Sequence, residues 1–176
     1  VALPVFAIHG DHDDPGGEGG LSALDILSSA NLINYFGRVA NTEKIALHPL
    51  LIRKGETRVA LYGLGHMRDD QLTRALERHE LSVSRPAEDT DAWFNLLALH
   101  QNRAKTGGAS GGAVKETLLP NIMDLVIWGH ERECTVAGGM DGIPEAKGVD
   151  FSVLQPGAAV ATELTDVEAR PKHVSI

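Results

Sequence analysis

Two histidines and three acids fall within Ile8-His9-Gly10-Asp11-His12-Asp13-Asp14-Pro15, directly behind the apolar run Val5-Phe6-Ala7-Ile8. Imidazole and carboxylate side chains gathered at a strand's end suit a hard or borderline divalent cation such as Mn²⁺, Mg²⁺ or Zn²⁺. The same residues could form a solvated acidic turn, since Asp-Asp-Pro is ordinary turn chemistry. Two further apolar runs end in a histidine. Trp93 to Leu99 delivers His100, and Met123 to Trp128 is followed by Gly129 and His130. One histidine at a strand end usually has a structural explanation. Asp11 with His12, His100 and His130, handed to one edge by three strands, match the way open α/β sheets build sites beyond their strand ends. Such a histidine-and-carboxylate cluster reads as a hydrolytic metal centre.

The elements that must position these residues alternate between strand and helix early in the chain and are mostly strands late. Leu21 to Ala30 predicts a helix whose only charge is Asp25, and so one that packs in a core or against another chain. Ile45 to Arg53 and Thr57 to Tyr62 predict a hairpin around Lys54-Gly55-Glu56, ending in the turn Tyr62-Gly63-Leu64-Gly65. Asp69 to Glu80 predicts an amphipathic helix, broken beyond by Arg85-Pro86. A glycine-rich loop at 106–113 precedes a short helix near Val114 to Leu119. Three late strands are expected, around Cys134 to Ala137, Phe151 to Leu154 and Ala158 to Leu164. Two stacked sheets with helices outside accommodate this order.

With 176 residues, 43% of them hydrophobic, the chain can bury a real core, and one domain is the default count. It has no run of 18 apolar residues and no basic, apolar leader at its start. Both ends read as strands cut through, so the chain is expected to be an excerpt of a longer protein. A single cysteine, Cys134, excludes an intrachain disulfide. The net charge of −8 argues mildly against a nucleic-acid surface, except where metal ions supply the positive charge.

Gly10-Asp11-His12-Asp13, Leu99-His100-Gln101-Asn102-Arg103 and Ile127-Trp128-Gly129-His130-Glu131-Arg132-Glu133-Cys134 resemble the later motifs of the calcineurin-like metallophosphoesterases. More narrowly, they resemble the eukaryotic double-strand-break repair nuclease subunits of the MRN/MRX complex. Ala23 to Ser28, Asn34 to Arg38, Ala60 to Gly65, Trp93 to Asn95, Leu154 to Gly157 and Lys172 to Val174 fit the same family in order. The resemblance implies a metallophosphoesterase-type α/β fold: a two-sheet β-sandwich flanked by helices in four layers, incomplete at the N-terminus. Residues 1–176 would be part of the nuclease domain, with the family's first two metal motifs lying upstream. It also implies Mn²⁺-dependent exonuclease and endonuclease action on DNA ends in the nucleus. The implied partners are DNA, a second copy through residues 21–33, an SMC-like ABC ATPase subunit and a nibrin-type subunit.

By that resemblance Asp11, His100 and His130 hold one metal, and His12 serves as proton donor or transition-state stabiliser. Asp13 would hold the His12 ring from behind. Two departures stand out. Asp11 occupies a place where the family has a ligand Asn, which adds negative charge. Arg132 occupies the place of a second metal-ligand histidine, and a guanidinium has no lone pair to offer. It would put a cation near a vacated metal position and could hold a phosphate oxygen. A catalytically impaired scaffold that dimerises, binds DNA ends and holds the ATPase is therefore the alternative function.

Overall fold

A computed structural model describes residues 3–40, 44–104, 113–135, 148–169 and 171–172. Its elements in chain order begin with β1 (Phe6–Ala7), α1 (Ala23–Ser29), β2 (Asn34–Tyr35) and β3 (Ile45–Leu47). β4 (Leu50–Lys54), β5 (Thr57–Leu64), α2 (Asp69–Glu77) and β6 (Leu81–Val83) follow. β7 (Phe94–His100), β8 (Leu125–Gly129) and β9 (Ser152–Leu154) complete the series. The fold is mixed α/β with several sheets and few helices. A five-stranded sheet runs β4-β5-β7-β8-β9, and β1 pairs with β2 and β3 with β6 in two small parallel sheets.

Within the large sheet only β4 is antiparallel, joined to β5 by a hairpin turning at Gly55 and Glu56. β5, β7, β8 and β9 are mutually parallel. Their near-continuous apolar sequences suit strands that need cover on both faces. β7 follows the pleat: Asn95, Leu97 and Leu99 are buried, while Leu96, Ala98 and His100 on the other face are half-buried. The main core lies on the buried face, where Tyr62, Leu64, Leu97, Leu99, Val126 and Trp128 meet Leu72 and Leu76 of α2.

Parallel strands that share a register end at one edge. Leu64 pairs with Leu99 and His100 pairs with Gly129, so the residues following β5, β7 and β8 emerge side by side. Gln101, wholly buried, locks this edge. Its amide nitrogen donates to Met67 O (2.8 Å), its amide oxygen accepts from Met67 N (3.2 Å), and its carbonyl accepts from Trp128 Nε1 (2.8 Å).

Several sequence expectations shift. The apolar run 45–53 breaks at His48-Pro49, where proline cannot donate to a ladder, so β3 joins β6 rather than the hairpin. The strand at 5–8 is only half-buried, and Val5 is exposed. Glu116–Leu118 forms a 3-10 turn instead of an α-helix. The strand expected at 158–164 is absent: this segment is irregular, pinned by side chains rather than by a ladder. Cys134 and Thr135 are likewise irregular, and the rest of that expected strand lies outside the described residues, as do the loop at 106–112 and the last four residues.

α1 is short but well begun. Ser22 accepts from Leu24 N (3.1 Å) while Asp25 accepts from Ser22 N (2.8 Å), a reciprocal cap contributing about 1 kcal/mol. No residue of α1 is buried, and Ile26 is 71% exposed. The chain's own core does not use this apolar face.

Candidate metal centre

Asp11 lies in the loop beyond β1, His100 is the last residue of β7, and His130 follows β8. The structure brings their donor atoms together, all within 4.8 Å of one another. Asp11 Oδ1 lies 3.1 Å from His100 Nε2 and 3.4 Å from His130 Nδ1. Ligands about 2.0–2.2 Å from one ion sit roughly 3.0–3.5 Å apart at octahedral or tetrahedral angles. The centroids of the two imidazoles are 5.3 Å apart. On spacing and on donor chemistry, the three side chains fit a divalent cation.

Glycines make the approach possible. A Cβ at Gly10 would lie 2.9 Å from His100 Cε1 and Nε2, and one at Gly129 would lie 3.0 Å from His100 Nδ1. Either would push the ring away from Asp11. His130 is held at φ 80°, a left-handed conformation that costs a β-carbon-bearing residue roughly 1–2 kcal/mol. That strain is tolerated at the residue whose ring faces Asp11.

Burial raises the Asp11 carboxyl, but the His100 hydrogen bond, its own backbone N–H and the neighbouring His130 and His12 outweigh it. The net position is below the usual carboxylate value, so Asp11 is a ready anion. Burial is also the largest influence on His100 and lowers it; Asp11 opposes this, and His130 and His66 reinforce it. A neutral imidazole beside a carboxylate is the state a metal requires.

His12 stands apart from the cluster. Its side chain is 98% exposed, with Nε2 3.6 Å from Asp11 Oδ2. Asp13 does not hold the His12 ring as the resemblance implied. Its Oδ1 instead accepts from Gly10 N at 2.5 Å, shaping the loop that carries Asp11. Beside it, His9 is buried. Its Nε2 donates to His66 O (3.1 Å), which leaves Nδ1 to accept from Tyr35 Oη (2.8 Å). His9 thus ties β1's end to the residue after β5 and β2, a structural role in the octapeptide.

Arg132 departs from expectation. It is not a free cation beside a vacant ligand position. Nη1 lies 2.5 Å from Glu163 Oε2 and 3.4 Å from Glu168 Oε1. Glu168, itself buried, also accepts from Thr162 N, Thr162 Oγ1 and Glu163 N. The Arg132 carbonyl accepts from Ala158 N (3.1 Å), and Gly157, at φ 75°, lies so close that a Cβ there would be 2.8 Å from that oxygen. Arg132 therefore fastens the 157–168 segment against the end of β8. Asp11, His12, His100, His130, Arg132, Thr162 and Val167 line one cavity of about 540 Å³.

The sequence reading missed one imidazole. His66 follows β5 and Gly65, and its ring centroid lies 6.3 Å from those of both His100 and His130. The sequence showed only that the turn Tyr62-Gly63-Leu64-Gly65 leads into it; that β5 lies beside β7 is known from the fold.

No family model matches the chain. It is 48% identical over 176 residues to the double-strand break repair protein mus-23 of Neurospora crassa, covering 100% of this chain and 23% of that protein. It is 48% identical over 184 residues to the double-strand break repair protein MRE11 of Oryza sativa subsp. japonica, covering 99% and 25%. With MRE11 of Homo sapiens the identity is 46% over 176 residues, covering 100% and 24%. The chain thus spans about a quarter of the length of these relatives.

Proposed function

Because the chain is, along its whole length, a relative of the MRE11 double-strand break repair proteins, we propose that it is part of a Mn²⁺-dependent DNA nuclease acting at double-strand breaks. One observation carries this reading: Asp11, His100 and His130 converge from three separate strand ends at ligand spacing. Bound there with a second ion, Mn²⁺ would supply activation of water and charge stabilisation for in-line phosphodiester hydrolysis.

The chain's own residues have distinct tasks. Asp11 bridges the two imidazoles and, being a carboxylate where the family resemblance has an amide, adds negative charge close to the scissile phosphate. His100 and His130 each offer a ring nitrogen. His12, exposed at the mouth, is placed to give a proton to the leaving oxygen. In this reading, residues 1–176 are part of a metallophosphoesterase domain, and upstream residues bring the remaining ligands. The half-buried face of β7 and β8 is where that upstream part would pack.

In a nuclease of this kind His12→Ala keeps Mn²⁺ content and removes hydrolysis of duplex ends in the full protein chain. Loss of bound Mn²⁺ in that variant would contradict the proton-donor role.

A second reading rests on Arg132, whose guanidinium is engaged by Glu163 and Glu168 where the resemblance has a metal ligand. On this reading the protein is a nuclear scaffold of weak hydrolytic power. It dimerises through residues 21–33, binds DNA ends and holds an SMC-like ABC ATPase and a nibrin-type subunit. No helix among the described residues is long and apolar enough to cross a membrane.

A further inference from the structure

We propose that His66 is a nitrogen donor to the second cation of this centre; this rests on the metal-centre reading above. Three neighbouring parallel strands, β5, β7 and β8, each present a histidine at the same edge: His66, His100 and His130. The three ring centroids form a triangle with sides of 5.3, 6.3 and 6.3 Å.

The unequal sides divide the rings into two roles. A ring centroid lies roughly 3.2 Å from an ion bound through nitrogen, so two imidazoles on one ion have centroids roughly 4.5–5.2 Å apart at octahedral or tetrahedral angles. His100 and His130, 5.3 Å apart, sit at the upper limit of that spacing, and His66 at 6.3 Å lies well beyond it. Hydrolytic two-metal sites hold their ions about 3.5–4 Å apart, which puts a ring on the second ion further from the rings on the first. The 6.3 Å separations suit such a ring.

His66 is also held more firmly than a surface histidine needs to be. Its N–H donates to His9 O (3.1 Å) and its carbonyl accepts from His9 Nε2 (3.1 Å). A Cβ at Gly65 would fall 2.1 Å from His9 Cε1, so glycine alone lets His9 reach this position. On the other side, Met67 N donates to the side-chain amide oxygen of Gln101, the neighbour of His100, and Met67 O accepts from its amide nitrogen. The backbone of 65–67 is thereby fixed to the Asp11 loop and to the His100 strand end, the preorganisation a metal-binding shell requires. His66 is half-buried, with its ring nearly parallel to that of His130 at 22°.

The test titrates the full protein chain with Co²⁺ and Mn²⁺, reading ion stoichiometry by calorimetry and donor type by the visible spectrum of bound Co²⁺. His66→Phe keeps a ring against His130 but has no nitrogen to offer, and His66→Ala removes both. The proposal predicts that both variants lose one tightly bound ion, with at least about a 10-fold drop in its affinity, and a changed Co²⁺ spectrum. Wild-type stoichiometry and spectrum in His66→Phe would overturn it, whether or not His66→Ala is altered. His130→Ala is the control: if it loses no ion, the metal-centre reading itself fails, and that outcome is separable from a failure confined to His66.

Discussion

Arg132 Nη1 lies 2.5 Å from Glu163 Oε2 and 3.4 Å from Glu168 Oε1, so the guanidinium at the end of β8 is bound by the segment that walls the metal cavity. The residue that departs from the pattern the resemblance implies is accordingly an anchor. Of the two carboxylates only that of Glu168 is buried, so it is the one left without its nearby cation when the guanidinium is removed.

Arg132→His therefore has two expected effects. The thermal unfolding midpoint falls, because the buried Glu168 keeps its backbone and hydroxyl donors but loses its cation. On the proposed nuclease reading, Mn²⁺-dependent degradation of duplex ends by the full protein chain rises, because a ligand-type imidazole returns. A calorimetric scan and an end-degradation assay check the two separately. An unchanged midpoint would contradict the anchor, and no gain in hydrolysis would show that position 132 is not the defect.

Glu168 gives the same segment a pH signature. The backbone N–H groups of Glu163 and Thr162 lower its carboxyl; burial opposes them, and the Thr162 hydroxyl and Arg132 add to the lowering. With a folded value below the unfolded one, the unfolded chain takes up its proton first as pH falls. The contribution is full above about pH 4.3 and is lost as pH drops below it through the folded value. Unfolding midpoints measured from about pH 6 to about pH 3 should fall more steeply for the wild type than for Glu168→Gln. Parallel curves would refute this linkage.

On α1, Ile26 is 71% and Leu27 40% exposed, with Leu21 and Leu32 exposed at 60% and 64% beside them. An apolar face left uncovered by its own core is suited to a second copy of the chain. Replacing Ile26 and Leu27 with Asp should convert a dimer of the full protein chain to a folded monomer in sedimentation, because neither residue is buried within the single chain. A dimer that persists would move the contact elsewhere.

What the sequence revealed and what it concealed follow from how each feature is encoded. Apolar strands ending in His100 and His130 were legible because a run of β-formers and its terminal residue are local. Asp11 was expected at the same sheet edge as those rings; it reaches them from the end of β1, which pairs with β2 in a separate sheet, across 89 residues of sequence. The break of the 45–53 run at Pro49 and the pairing of β3 with β6 were not legible, because partner choice is decided by tertiary contacts. The irregular 158–164 segment looked like a strand because it is largely apolar and carries β-branched Val160 and Thr162. In the fold, the side chains of Arg132 and Glu168 determine its path instead. His66 escaped notice because its neighbours Gly65 and Met67 carry no ligand chemistry, and only β5's place beside β7 makes it part of the edge.

The most direct test of the metal centre is a Mn²⁺ titration of the full protein chain, wild type against Asp11→Ala, His100→Ala and His130→Ala, followed by calorimetry and by the signal of free Mn²⁺ in paramagnetic resonance. Three donors within 4.8 Å predict that each substitution weakens the same ion by at least about 10-fold. All three should do so without loss of folded structure. Wild-type affinity and stoichiometry in any two of the three variants would contradict the account.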